Sequence, residues 1–294
     1  MSELIAIRDR LAAYNCKSSR DEDQAVREIL QDLILAALGR TEFFLKVAFH
    51  GGTHLRIFHG LLRFSEDLDF ALKAEDPGFV FGPYLEKVKA ELESFGVMVE
   101  VLDKSKTDSP IKKAFLKDNS IIQIVNLRFM KDIGSRSTPR KLRIKLEVDS
   151  NPPAGATYES LPLSFPFPAS VTAFDLPSSF AGKRHALLCR EYVKGRDWYD
   201  FSWYCGARVS LNHELLSAAI EQNGPWAGKG IRTTDEWVKN ELKKKISGLD
   251  WELAREDVAA FVYERELKSL DYFNVEFFMQ LAEGMAWAKA AHRA

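Results

Sequence analysis

The apolar residues within 63–70 all lie an even number of positions apart, at 64, 68 and 70, and polar residues separate them. Successive side chains of a β-strand point to opposite faces, so this alternation predicts a half-buried strand. On one predicted face, Asp67 and Asp69 lie next to each other, with Arg63 and Ser65 in line behind them. The opposite face carries Phe64, Leu68 and Phe70, which are expected to point into a core.

A second alternating segment, residues 141–149, predicts another strand of the same kind. Its apolar face holds Leu142, Ile144, Leu146 and Val148. Its charged face holds Lys141, Arg143, Lys145, Glu147 and Asp149. A half-exposed strand with a charged outer surface is the simplest interpretation of this pattern.

Apolar residues three and four positions apart mark the predicted helices. These are residues 4–16, 24–38, 83–95 and 178–194, a further helix after Gly195, and a mainly helical region from Leu211 onward. For the helix at 178–194, Ser178 or Ser179 is expected to be the N-terminal cap.

Segments rich in valine and isoleucine lie between the first helices and predict further strands. These strands are residues 97–102 and 120–130, and a loop with a short helix is expected at 104–117. Residues 43–49 fit either a strand or the end of a helix. The proline density of residues 151–170 excludes a helix and fits two short edge strands or an extended crossover. We expect the domain boundary shortly after this segment.

The composition is that of a globular chain with ample core and almost no net charge. The 294 residues are 46% hydrophobic, and the formal net charge at pH 7 is −1, so any contact with nucleic acid must be local. No signal peptide is evident, and no apolar run approaches the roughly 20 residues that span a membrane. The three cysteines show neither zinc spacing nor a disulfide framework, so we expect a reduced, cytoplasmic setting.

Asp67 and Asp69 form a D-x-D pair whose like charges repel each other on one face of the predicted strand. A divalent cation removes that repulsion, and carboxylate oxygens are the ligands that Mg²⁺ prefers. Taken alone, such a pair is more often a solvated strand edge.

A glycine pair, Gly51 and Gly52, precedes the D-x-D pair and is followed by Thr53. Glycines allow a tight turn and a close approach of the backbone to a ligand. Thr53 can cap the helix that follows, and a helix N-terminus attracts phosphate. Taken together, the glycine turn, the short helix and the D-x-D strand resemble the metal–nucleotide site of polymerase-beta-like nucleotidyltransferases.

Residues 50–70 closely resemble the nucleotidyltransferases of the AbiEii/AbiGii toxin group. The signature of that group reads roughly G-G-T-x-L-R-x-x-x-G-x-x-R-x-S-x-D-x-D-F. The matching residues here are Gly51, Gly52, Thr53, Leu55, Arg56, Gly60, Arg63, Ser65, Asp67, Asp69 and Phe70. His50 is a departure, because a lysine is expected before the glycines.

This resemblance implies both a fold and a metal site. The implied fold is α+β, with a nucleotidyltransferase domain over 1–175 that has a mixed β-sheet flanked by helices. A helical C-terminal domain over 176–294 is expected to complete the active-site cleft. The family has a third carboxylate at the position of Glu147, with Asp149 as the alternative on the same face. Asp67, Asp69 and Glu147 are therefore the predicted catalytic ligands of Mg²⁺, or of Mn²⁺.

A later stretch resembles another family motif, in which a helix lysine is followed by K-x-R-D-x-Y-D. Lys183 is the helix lysine, and the other matching residues are Lys194, Arg196, Asp197, Tyr199 and Asp200. The resemblance implies that Lys183 is catalytic and contacts the triphosphate. Asp197 is also a catalytic candidate, as a base, as a group that positions the acceptor, or as an ion-pair partner of Arg196. The division of roles between Asp197 and Asp200 stays open.

Substrate contacts complete the predicted site. The residues predicted to bind the nucleotide are Gly51, Gly52, Thr53, Arg63, Ser65 and Lys183. Residues 131–145 are the most basic stretch of the chain and could hold the phosphates of an RNA acceptor, although a charged loop without a partner fits equally well. The predicted acceptor contacts are Arg136, Arg140, Arg143 and Arg196.

The function implied by the resemblance is metal-dependent transfer of a nucleoside monophosphate from a nucleoside triphosphate to an acceptor. For relatives in this group the acceptor is the 3′ end of tRNA, and the enzyme is a toxin or abortive-infection effector with a cognate antitoxin. One alternative is transfer to a protein or a small molecule. Another is a non-enzymatic protein that binds nucleotide or RNA on the same scaffold. No membrane partner is expected.

Overall fold

The computed structural model of the chain describes residues 2–103, 111–118 and 142–284. The chain divides into two compact units. The first unit is Met1–Phe58, Ser65–Asn151 and Ser160–Ala173, and the second is His59–Phe64, Pro152–Glu159 and Phe174–Ala294. In the described ranges, no helix has the length and the apolar character that crossing a membrane requires.

The first unit is built on a mixed β-sheet. Within the described ranges its strands are β1 (Val47–His50), β2 (Asp67–Leu72), β3 (Val99–Asp103), β4 (Ile111–Asp118), β5 (Leu142–Asp149), β6 (Tyr158–Leu163) and β7 (Ala169–Phe174). They lie in the order β3-β4-β5-β2-β1-β7-β6. β2 pairs with β5 in parallel and with β1 in antiparallel orientation, so the D-x-D strand lies in the interior of the sheet. The predicted α+β fold is confirmed.

Helices cover the apolar face of this sheet. They are α1 (Ser2–Ala13), α2 (Ser19–Gly39), α3 (Phe43–Lys46), α4 (Gly51–His59) and α5 (Gly82–Ser94). The inward faces of β2 and β5 carry Leu68, Phe70 and Leu146, which are at most 1% exposed and join the core with Ile29 and Leu33 of α2. Every second residue of these strands packs against the apolar stripe of α2. One face of the sheet is therefore covered, and the other carries the charged residues.

The second unit is mainly helical. Its described helices are α6 (Leu176–Cys189), α7 (Gly195–Gly206), α8 (His213–Gln222), α9 (Asp235–Ser247), α10 (Trp251–Ala259), a 3₁₀ helix (Glu264–Tyr272) and α11 (Val275–Glu283). Aromatic side chains form much of its core. Trp251 stacks on Phe278 with ring centres 4.4 Å apart, and Trp198 meets both rings edge-on. This packing joins α7, α10 and α11.

Three local predictions need correction or completion. Part of the segment predicted as a loop and short helix forms β4, because pairing with strands on both sides outweighs its polar composition. Residues 43–49 contain both predicted alternatives, first α3 and then β1. α6 is capped by Asp175 rather than by Ser178 or Ser179, and an Asp175 oxygen accepts the Ser178 N–H at 2.9 Å. The strand predicted at 120–130 lies outside the described residues.

Candidate active site

Asp69 and Glu147 lie side by side on neighbouring strands of the sheet. β2 and β5 are parallel, and their register pairs Asp67 with Lys145 and Asp69 with Glu147. Side chains of paired residues project from the same face of a sheet. The three carboxylates that the sequence analysis predicted as metal ligands are therefore brought together on one face, and all three are partly exposed.

The register also distinguishes Glu147 from its alternative, Asp149. Asp149 lies opposite Ala71, beyond the pair formed by Asp69 and Glu147. Its Oδ1 accepts a hydrogen bond from the backbone N–H of Asn151 at 3.0 Å. Glu147 is thus the carboxylate that lies beside the D-x-D pair, while its role as a metal ligand stays a prediction.

Lys145 belongs to this face but was not among the predicted site residues. Its Nζ lies 2.9 Å from Oε2 of Glu147. Burial lowers the pKa of Lys145, but the hydrogen bond to Glu147 and the charges of the neighbouring carboxylates raise it overall. The sequence did contain a signal, because a residue two positions before Glu147 in a strand must share its face.

The pKa of Asp67 reflects the repulsion on this face. Burial and the charge of Asp69 raise the pKa of Asp67, and the charge of Lys145 opposes them. The pairs Asp67–Lys145 and Asp69–Glu147 together carry three carboxylates and one ammonium, so negative charge is in excess. Oxygen ligands at this density suit a hard divalent cation such as Mg²⁺ or Mn²⁺. The donor set therefore fits the predicted metal.

The glycine turn brings a helix N-terminus against the same aspartate. α4 begins at Gly51, directly after β1, whose last residue, His50, pairs with Asp69. Gly51 has a φ of +84°, and a Cβ at this position would lie 2.6 Å from Oδ2 of Asp69. Glycine fits here because it tolerates the left-handed backbone and leaves room for the carboxylate. The first turn of a helix carries amide donors without helical partners, an arrangement that binds phosphate.

Thr53 does not cap this helix as predicted, because α4 begins two residues earlier. Thr53 is completely buried in the first turn, and Gly52 before it is also buried. The Thr53 hydroxyl donates a hydrogen bond to the backbone carbonyl of Asp67. Thr53 therefore fastens the start of α4 to the start of the D-x-D strand.

Arg63 and Ser65 do not extend the carboxylate face, because β2 begins only at Asp67. Arg63 belongs to the second unit, where it is 3% exposed. Its Nε and Nη2 donate to the two carboxylate oxygens of Asp200, both at 2.6 Å. The Ser65 carbonyl accepts a hydrogen bond from Nε2 of Gln31 at 3.0 Å. The strand predicted over 63–70 is thus too long, and nucleotide contacts by Arg63 and Ser65 stay predictions.

Lys183 is the centre of a buried ion-pair network in the second unit. Its Nζ lies 2.7 Å from Oδ1 of Asp197 and 2.8 Å from Oδ2 of Asp200. Arg190 Nη1 lies 2.5 Å from the other oxygen of Asp197. Burial raises the pKa of Asp197, but the charges of Lys183, Lys194 and Arg190 outweigh it and lower the pKa to about 2. Asp197 is therefore ionised at neutral pH and is a weak base.

Arg196 does not form the ion pair with Asp197 that was one interpretation of the motif. Its Nε lies 3.7 Å from Oδ2 of Asp257, and its guanidinium carbon lies 4.0 Å from the centre of the Phe261 ring. Asp197 instead pairs with Lys183. A contact between Arg196 and the acceptor stays a prediction.

Of the other predicted acceptor contacts, only Arg143 lies within the described residues. Arg136 and Arg140 lie outside the described residues. Arg143 is exposed on β5 and, by strand spacing, shares the face of Lys145 and Glu147. Acceptor binding by these arginines stays a prediction.

Comparisons with known proteins identify the family and the fold. The sequence model of one family, described as nucleotidyl transferase AbiEii toxin, type IV TA system, matches residues 33–271. The fold is similar to that of JHP933 from Helicobacter pylori, with 17% identity, a TM-score of 0.52, and coverage of 88% of this chain and 90% of that one. It is also similar to MenT4, a nucleotidyltransferase toxin from Mycobacterium tuberculosis H37Rv, with 15% identity, a TM-score of 0.51, and coverage of 92% and 98%. No curated protein sequence matches the chain.

Proposed function

The chain belongs to the AbiEii family of nucleotidyltransferase toxins from type IV toxin–antitoxin systems, and from this premise we propose that it modifies the 3′ end of tRNA. It is a nucleotidyltransferase, and family membership implies a nucleoside triphosphate substrate and an antitoxin. The tRNA acceptor and the dependence on a divalent metal are the parts that we add. In this proposal the enzyme transfers a nucleoside monophosphate and releases pyrophosphate.

One observation carries the proposal, namely the pairing of Asp69 with Glu147 directly beside the start of α4. Asp67, Asp69 and Glu147 would hold the divalent cation, since all three offer carboxylate oxygens on one partly exposed face. When bound, the cation supplies charge neutralisation for the phosphates of the nucleotide and for the groups that react.

The reaction that these residues would support is an in-line displacement at the α-phosphorus. An acceptor hydroxyl forms the new O–P bond, the bond to pyrophosphate breaks, and the hydroxyl loses its proton. The chain contributes mainly orientation and charge. In the proposal the amides of the first turn of α4 hold phosphate oxygens, and Gly51 keeps the backbone clear of Asp69.

Lys183 and Asp197 take distinct parts in this proposal. The ammonium of Lys183 has three donors. Among the described residues, Asp197 and Asp200 pair with two of them, which leaves one donor for a phosphate oxygen. Asp197, with a pKa of about 2, is poorly suited to accept the proton of the acceptor hydroxyl. We therefore propose that Asp197 positions Lys183 and Arg190.

The experiment that tests the proposal presents the enzyme with each of the four α-labelled nucleoside triphosphates, Mg²⁺ or Mn²⁺, and total tRNA. We expect tRNA to become labelled, and we expect removal of its 3′-terminal nucleotides to remove the label. A parallel reaction contains cell lysate from which RNA has been digested. If label enters protein or a small molecule there and never enters tRNA, the proposed acceptor is wrong.

A further inference from the structure

A small pocket opens in the second unit where α6 ends and α7 begins. Its polar lining residues are Arg190, Tyr192, Lys194, Asp197 and Lys245. Asp197 was predicted as a site residue and Lys194 matched the family motif, whereas Arg190, Tyr192 and Lys245 belong to neither set.

Positive charge exceeds negative charge among the described residues that line this pocket. Arg190, Lys194 and Lys245 contribute three cations against the single carboxylate of Asp197. That carboxylate is already engaged, because Lys183 and Arg190 bind its two oxygens at 2.7 and 2.5 Å. In the part of the chain that the structure describes, the Lys194 ammonium makes no hydrogen bond or ion pair. An anion in the pocket would balance this charge.

The surroundings of Lys194 show the same imbalance. Burial is the largest influence on its pKa and lowers it, and the charge of Asp197 opposes this. The neighbouring cations lower the pKa further; they are Lys183, Arg190 and Arg196. A bound anion would stabilise the ammonium form of Lys194 and so relieve the repulsion among these groups.

Lys245 and the start of α7 add donors to the pocket. The Lys245 Nζ donates to the backbone carbonyl of Arg190 at 2.6 Å, and within the described ranges this leaves two of its three donors. Lys194 is the N-cap residue of the 12-residue helix α7 and makes no capping hydrogen bond through its side chain. The positive end of the helix dipole therefore lies at the pocket. Gly195 allows the start of α7 to pack closely against α10, because a Cβ there would lie 1.8 Å from the carbonyl oxygen of Ala254.

The charge of the pocket and its aromatic neighbour indicate what kind of anion fits. Three cationic side chains around one engaged carboxylate suit a phosphate group. Tyr192 is 65% exposed, and the Arg190 guanidinium lies 5.0 Å from its ring centre. A basic pocket beside an exposed aromatic ring is the combination by which proteins bind single-stranded nucleic acid.

We propose that this pocket holds one backbone phosphate of a single-stranded nucleic-acid acceptor, with an adjacent base stacked on Tyr192. Lys194 and Lys245 contact the phosphate, and Arg190 links the phosphate site to the aromatic ring. The inference rests on the proposed function for the identity of the acceptor. Binding itself requires no transfer and can be measured separately.

The test measures binding of a labelled, short single-stranded RNA to the full chain by fluorescence anisotropy over a range of salt concentrations. The double variant Lys194→Gln, Lys245→Gln is expected to bind roughly tenfold more weakly. Its plot of log affinity against log salt is expected to be flatter by about 0.7, which corresponds to one lost phosphate contact. Tyr192→Ala is expected to weaken binding at least about fivefold with an unchanged salt slope.

Matched controls separate the pocket from general surface charge. Lys244→Gln removes the neighbouring lysine on α9, whose side chain is 71% exposed and pairs with Glu241, and binding is expected to stay unchanged. Lys194→Arg keeps the charge and is expected to retain affinity within about twofold. Tyr192→Phe keeps the ring and is expected to behave like the wild type. Thermal melting of each variant verifies that the second unit is folded.

Binding of nucleoside triphosphate to the same variants shows whether the phosphate in the pocket belongs to RNA or to the nucleotide. If the double variant loses affinity for nucleoside triphosphate but not for RNA, the pocket serves the nucleotide and the proposal is overturned. Equal loss in Lys244→Gln, or unchanged RNA binding in the folded double variant, overturns it as well. Asp69→Asn is expected to abolish transfer but to keep RNA binding, so failure of the proposed function is recognised independently of failure of the pocket.

Discussion

Gly51 and Asp69 approach so closely that a Cβ on Gly51 would lie 2.6 Å from Oδ2 of the carboxylate. Gly51 also has a φ of +84°, which side-chain-bearing residues rarely adopt. The first helical turn after β1 is thereby held against the strand that carries D-x-D. Gly51 therefore makes the turn possible and leaves the space that Asp69, a predicted metal ligand, occupies.

Gly51→Ala is predicted to reduce nucleotidyl transfer by at least about tenfold, because the methyl group displaces Asp69. Gly60→Ala is the matched control, since Gly60 has a φ of +72° but a Cβ there would meet no atom of the described residues within 4 Å. Both variants should lose about 1–2 kcal/mol of stability to backbone strain. Transfer rates and melting curves of both variants provide the measurement. Equal activity in the two folded variants would contradict this account of Gly51.

Glu147→Gln is predicted to weaken divalent-cation binding and to abolish transfer, whereas Asp149→Asn should leave both nearly unchanged. The reason is the register, which pairs Glu147 with Asp69 and places Asp149 opposite Ala71. Titration of Mn²⁺ followed by electron paramagnetic resonance measures the metal directly, without any acceptor. If Asp149→Asn is the variant that loses the cation, the third ligand has been assigned to the wrong carboxylate.

Arg63→Met is predicted to destabilise the second unit by roughly 3–5 kcal/mol, because it leaves the buried carboxylate of Asp200 without its bidentate partner. Arg255→Met is the control. Its ion pair with Glu252 lies on the surface of α10, and such pairs contribute less than about 1 kcal/mol. Denaturant unfolding of both variants gives the comparison. A stable Arg63→Met protein that binds nucleoside triphosphate poorly would instead support the predicted nucleotide contact of Arg63.

The free energy of unfolding of the first unit is predicted to fall as the pH rises from about 4 to about 7, because of Asp32. Burial raises the pKa of Asp32 from 3.8 to about 7, although the charge of Arg10 opposes it. The folded state therefore holds a proton that the unfolded state releases, and each pH unit in this window costs up to about 1.4 kcal/mol.

Asp32→Asn removes this proton linkage while keeping the shape of the side chain. The variant is predicted to raise the melting temperature at pH 8 more than at pH 4.5. Calorimetry at the two pH values measures the difference. An identical change in melting temperature at both would show that Asp32 does not titrate in this window.

Local periodicity was sufficient to predict the carboxylate face. Residues two apart in a strand share a face whatever the rest of the fold does, so the spacing of Asp67 and Asp69 determined their relationship. The neighbouring position of Glu147 came from the family resemblance, because strand order and register are not local properties. Lys145 follows from the same spacing rule, and it was missed because a lysine on a charged face resembles a solvated residue.

Long-range partners explain the predictions that failed. Arg63 continued the alternation of the D-x-D strand, yet its guanidinium is held by Asp200, which lies in α7. The pairing of β4 between β3 and β5 likewise depends on strands that are distant from its own lysine-rich sequence. The basic pocket combines Lys194 with Lys245, and no spacing rule connects two residues so far apart in the chain.

The central claim is that the face formed by Asp67, Asp69 and Glu147 performs metal-dependent nucleotidyl transfer. The most direct test is the rate at which wild type, Asp69→Asn and Asp149→Asn transfer label from an α-labelled nucleoside triphosphate to tRNA, with Mg²⁺ and after its chelation. We predict that Asp69→Asn lowers the rate by roughly two orders of magnitude or more and keeps the melting temperature of the wild type. Asp149→Asn is predicted to be active. Chelation of Mg²⁺ is predicted to abolish transfer by the wild type. Undiminished transfer by folded Asp69→Asn, or by the wild type without divalent cation, would contradict the claim.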